Sequence, residues 1–166
     1  TEAPSVSASS VTVPKGTFQI ESSAGLTRAL FAPIRITMPY NLFRVGLTDR
    51  LELRASNEFY LNTFNGTTNA FFGPMELGLK FQFIKDSNKP NQFGLIGHVE
   101  IPKPGNSFRR GYLNFAASHQ LATKHSVGYN AGITLTSISV FGENQLSQFV
   151  NYSLIYNFAV NSKFTI

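Results

Sequence analysis

The stretch Met75-Glu76-Leu77-Gly78-Leu79-Lys80-Phe81-Gln82-Phe83 decides the fold. Its large apolar residues recur at every second position, with Glu76, Gly78, Lys80 and Gln82 between them. A period of two places successive side chains on opposite faces of a β-strand. Gly73-Pro74 precedes the stretch and Lys85-Asp86-Ser87-Asn88-Lys89-Pro90-Asn91 follows it, so both ends carry turn chemistry.

The same division recurs downstream. Val127, Tyr129, Ala131, Ile133 and Leu135 oppose Gly128, Asn130, Gly132 and Thr134, and Val150, Tyr152, Leu154, Tyr156 and Phe158 oppose Asn151, Ser153 and Asn157, with Ile155 as the exception. Weaker alternation at residues 17–22, 35–47, 50–60, 92–101 and 111–121 brings the total to about eight strands. Most approach the ~9–11 residues that a tilted membrane strand requires, whereas strands of soluble sheets average ~5–6. The connections alternate too. Short turns fall at 47–50, 85–91, 122–124 and 161–163, and longer links at 23–34, 62–74, 102–110 and 137–148. Bacterial membrane barrels alternate short periplasmic turns with long external loops, a parity that places the amino terminus in the periplasm.

Composition points the same way. Charged residues make up 14% of the 166, against about 25% in soluble domains. The windows 125–142 and 144–162 contain no Asp, Glu, Lys or Arg. No run of about 18 apolar residues offers a membrane helix, and the absence of cysteine excludes disulfides and thiolate metal sites. The net charge of +5 comes from scattered lysines and arginines, without the basic helix or patch that nucleic-acid binding needs. Residues 1–14 read as an extended periplasmic leader, a tail or plug that Pro14 keeps out of any helix. Residues 15–166 read as an antiparallel transmembrane β-barrel, incomplete at the carboxy terminus because only Phe164-Thr165-Ile166 follow the last turn.

On this register Glu21, Arg44, Glu52, Arg54, Glu76, Lys80, His98 and Glu100 face inward and leave the outer wall nearly free of charge. They are the candidate site residues. Such a wall either guides a solute through a polar lumen or forms a ladder of ion pairs that fills a narrow interior; the ladder is favoured, since small barrels are packed with side chains. Catalysis is not expected. His98 lies between Gly97 and Val99, and His119 follows Ser118, but neither stands in a nucleophile motif. His119 and His125 lie near one turn and His98 on another strand, which argues against a metal site. No cofactor is implied.

Val13-Pro14-Lys15-Gly16-Thr17-Phe18-Gln19-Ile20-Glu21 is followed by Phe43-Arg44-Val45-Gly46-Leu47-Thr48-Asp49-Arg50-Leu51-Glu52-Leu53-Arg54. Further on come Glu76-Leu77-Gly78-Leu79-Lys80-Phe81, Ile101-Pro102 with Gly105, and His125-Ser126-Val127-Gly128-Tyr129-Asn130-Ala131-Gly132. This ordered set resembles the MetA-pathway phenol-degradation, or transporter-like, family of outer-membrane β-barrels. The resemblance implies about twelve strands in the complete protein and a location in the outer membrane of a double-membraned bacterium. It further implies a passive channel or transporter for a small organic or hydrophobic solute, with Glu21, Arg44, Glu52, Arg54, Glu76 and Lys80 at the family's inward polar positions. A second reading is a non-conducting structural or accessory subunit of a larger outer-membrane complex. The partners expected are outer-membrane lipid and another outer-membrane protein, not nucleic acid.

Overall fold

A computed structural model describes residues 8–28, 34–84, 90–101, 110–140, 143–161 and 164–165. The distal part of the leader, the link tips at 29–33, 102–109 and 141–142, and the turns at 85–89 and 162–163 lie outside the described residues.

The chain is all-β. In order, its strands are β1 (Phe18–Thr27), β2 (Ile34–Gly46), β3 (Leu51–Phe64), β4 (Thr67–Phe72), β5 (Met75–Gln82), β6 (Asn91–Ile101), β7 (Arg110–Ala122), β8 (His125–Val140), β9 (Glu143–Asn161) and β10 (Phe164–Thr165). They form one antiparallel sheet in the order β1-β2-β3-β5-β6-β7-β8-β9-β10, with β4 paired to the distal half of β3.

Two local signals shape the β3–β4 hairpin. Asn65 (φ 49°) and Gly66 (φ 79°) both take left-handed backbone, the conformation of a two-residue hairpin turn and the reason for an Asn-Gly pair. The segment 62–74, expected to be a loop, is therefore mostly paired strand. Gly73 donates its amide to the Glu58 carbonyl at 2.8 Å, and the chain then passes through Pro74 into β5, which pairs with the proximal half of β3.

The expectation of a transmembrane β-barrel is corrected by the sheet itself, which is an open half-barrel. It curls through an arc of 218° and stops with its edges 18 Å apart. Neighbouring strands in a closed wall lie about 4.8 Å apart, so β1 has no ladder with the other end of the sheet. The curvature accumulated over these strands is too small to bring the edges together. Among the described residues no helix is long and apolar enough to cross a membrane.

The two faces are inverted relative to a soluble domain. Along β5 the residues alternate strictly between exposed and buried, and the buried ones are Glu76, Gly78, Lys80 and Gln82. Leu53, Leu77, Leu79, Phe81, Leu113, Val150, Tyr152 and Leu154 stand on the exposed face. These side chains make the exposed face a continuous apolar wall.

Candidate functional site: an ion-paired inner face closed by its own leader

Strand register sets the charges against one another before any side chain is considered. Arg44 of β2 lies directly opposite Arg54 of β3, and Glu76 of β5 directly opposite Glu100 of β6. Like charges placed opposite each other destabilise a sheet. The Arg44–Arg54 conflict is resolved by Glu52, which is fully buried. Its Oε1 accepts Arg44 Nε at 2.8 Å and Arg54 Nη1 at 3.2 Å, and its Oε2 accepts Arg44 Nη2 at 2.9 Å. Arg44 Nη1 also donates to Glu21 Oε1 at 2.9 Å. Paired, fork-like hydrogen bonds from guanidinium to carboxylate are the arrangement in which buried charge is best compensated.

A second group surrounds Glu76. Arg110 pairs with its Oε1, Ser56 Oγ donates to Oε2 at 3.3 Å, and His98 Nδ1 lies 3.8 Å from Oε2. The His98 ring stacks on Tyr112, with centroids 4.7 Å apart and planes within 11°. Tyr40, Tyr112, Ser56, Glu58, Glu76 and Arg110 border a cavity of about 250 Å³, smaller than the ~300–1,000 Å³ usual for ligand pockets.

The structure places all eight sequence-derived candidates along this face. Glu21, Arg44, Glu52, Arg54, Glu76, Lys80 and His98 are buried, and Glu100 is half-buried beside Glu76. Glu21, Arg44, Glu52 and Arg54 form one cluster, and Glu76 and His98 belong to the other. Lys80 is fully buried on β5, opposite Glu52 on one side and Ile96 on the other.

The proximal end of the leader, expected as a tail or plug, organises this face, and the bonds by which it does so were not visible in the sequence. Val13 donates its amide to Glu52 Oε2 at 2.8 Å, and Thr12 donates both its amide and its hydroxyl to Gln82 Oε1, at 3.0 and 2.9 Å. Gln82 in turn donates to Gln92 Oε1 at 3.1 Å. Arg44 Nη2 reaches the Val11 carbonyl at 3.4 Å, and the Ser10 and Ser118 hydroxyls meet at 3.1 Å. Space for this backbone is built into the sheet. A Cβ on Gly46 would stand 2.1 Å from the Pro14 carbonyl oxygen, and one on Gly94 would stand 2.8 Å from that of Ser10. Gln82 was visible in the sequence as an inward polar residue of β5, but nothing in the pattern identified its partner.

The family profile matches residues 1–166. The chain belongs to the family described as "Putative MetA-pathway of phenol degradation". Membership links the chain to transport and to the membrane, and the family is a transport and structural one rather than a family of catalysts. Among the described residues no group of three or more His, Cys, Asp or Glu could hold a metal ion. No curated protein and no solved structure matches this chain.

Proposed function

We propose that this chain is a non-conducting structural subunit of a larger assembly in the outer membrane of a double-membraned bacterium. The observation that carries the reading is the open sheet, whose edges stand 18 Å apart. A passive channel needs a continuous wall around its path. An open edge exposed to lipid leaves backbone N–H and C=O groups without partners, at several kcal/mol each. Such an edge is tolerable only where other protein covers it.

Two further features support the reading. The inner charges are engaged with one another and with the leader, so they act as packing more than as a selectivity filter. The exposed apolar face suits contact with lipid acyl chains or with an apolar partner surface. The family's association with small organic solutes then belongs to the assembly as a whole.

Reconstitution into planar bilayers, together with gentle purification from outer membranes in mild detergent, tests this. The expected result is no ion current from the chain alone and stoichiometric recovery with further protein. A steady single-channel current from the isolated chain, altered by Glu76→Gln or Lys80→Met, would restore the channel reading.

A further inference from the structure

The leader reaches the inner face through a hinge. Thr17 donates its amide to the Pro14 carbonyl at 3.0 Å, and Gly16 between them takes a left-handed backbone (φ 74°), as the third position of a tight turn of this kind requires. The turn is fastened to β2: the Gly16 amide donates to the Gly46 carbonyl at 2.8 Å, and the Gly46 amide donates to the Thr17 carbonyl at 3.0 Å. Residues 8–14 belong to no strand. They cross the inner face over Gly46 of β2, Glu52 of β3, Gln82 of β5, Gly94 of β6 and Ser118 of β7.

What holds this crossing is slight for a buried segment. Residues 3–14 carry no charge, and among the described residues of the leader Val13 is the one buried apolar side chain. The rest of the attachment is hydrogen bonding from backbone and hydroxyl groups to Glu52, Gln82, Arg44 and Ser118, which water replaces at small net cost. Gly46 and Gly94 make room for the leader's main chain, so docking is a backbone lying in a track and not an interlocking of side chains. Segments with few buried apolar contacts are the ones that open locally while the rest of a fold stays paired.

The face beneath is complete without the leader. Arg44 keeps Glu21 and Glu52, and Glu52 keeps Arg44 and Arg54, so lifting the leader leaves none of these charges without a counterion. Gln82 keeps its bonds to the Ile84 carbonyl at 2.6 Å and to Gln92, and its freed Oε1 can accept from water.

We propose that residues 8–14 are a releasable strap, hinged at Gly16, that shuts the proximal part of the inner face from water when docked and opens it when lifted. In the lifted state Glu52, Gln82, Gln92 and Ser118 stand open to solvent and to any solute that reaches the face. Strap release is read from exchange and labelling of this chain alone, so it stands or falls separately from current and from copurification with a partner.

The full chain in mild detergent supplies a readout that needs no variant. The Thr12 and Val13 amides are expected to exchange at least tenfold faster than those of β5, and exchange of all of them at one rate would overturn the proposal, since the leader would then open only with the sheet. The chain has no cysteine, so single-cysteine variants report access. Ser10→Cys and Gln92→Cys, in separate chains, replace buried residues, and Lys15→Cys replaces an exposed one. With a charged thiol reagent the first two are expected to label at a common fraction of the Lys15→Cys rate. Gly94→Ala sets a Cβ 2.8 Å from the Ser10 carbonyl oxygen and is expected to speed both at least tenfold, with exchange in β5 unchanged. Labelling of Ser10→Cys without Gln92→Cys would overturn the claim that the strap governs access to the face. Labelling of either only when β5 also exchanges would overturn release itself.

Discussion

At the scale of single residues, the inner face depends on the pairing of buried charge. Glu52 receives two guanidinium groups and a backbone amide, so removing either side of the network leaves a charge buried without compensation. Arg44→Met is expected to cost about 3–5 kcal/mol, measured by guanidinium unfolding in detergent. Converting Arg44, Arg54, Glu52 and Glu21 together to apolar residues should recover much of that loss, because both sides of each of these ion pairs are then removed. The alternation along β5 made the buried carboxylates and Lys80 legible from sequence. Their distant partners were not legible, since Arg110 reaches Glu76 across 34 positions and Val13 reaches Glu52 across 39. The glycines offered a second signal whose meaning only the packing reveals. Gly46→Val should drive the leader off the sheet, seen as faster amide exchange at Thr12 and Val13. Unchanged protection at those amides would mean that the leader is held some other way.

At the scale of elements, strand identity followed from periodicity, and strand ends from turn chemistry. The β3–β4 hairpin was the exception. Residues 62–74 looked like a loop because their exposed face mixes Asn, Thr and Phe with no clean alternation, yet Asn65-Gly66 is a strong local hairpin signal. Gly66→Ala places a Cβ on a left-handed backbone and should destabilise this hairpin by about 1–2 kcal/mol. Faster amide exchange confined to β3 residues beyond Glu58 and to β4, with β5 to β8 unchanged, is the expected signature. The length of β9 was underestimated for a related reason: past Val150 towards its amino-terminal end the alternation fades into Gln and Ser, although the ladder with β8 continues to Glu143.

At the scale of the whole molecule, period-two patterning specified faces but not closure. Whether a meander of this kind closes depends on how much curvature accumulates from strand to strand, a property of the ensemble that no single segment displays. The expected barrel is an open sheet whose inner side is occupied by its own leader and whose outer side is apolar. The distance between its edges is the most direct test. Paired spin labels, Ile20→Cys with each of Val150→Cys, Leu154→Cys and Tyr156→Cys in turn, place one label on β1 and one on β9. Dilution with unlabelled chain isolates the distances within one copy. The account predicts separations of about 18 Å or more for every pair. A pair at close to one strand spacing, about 5 Å between backbones, would show that the edges meet and would contradict the open sheet on which the proposed function rests.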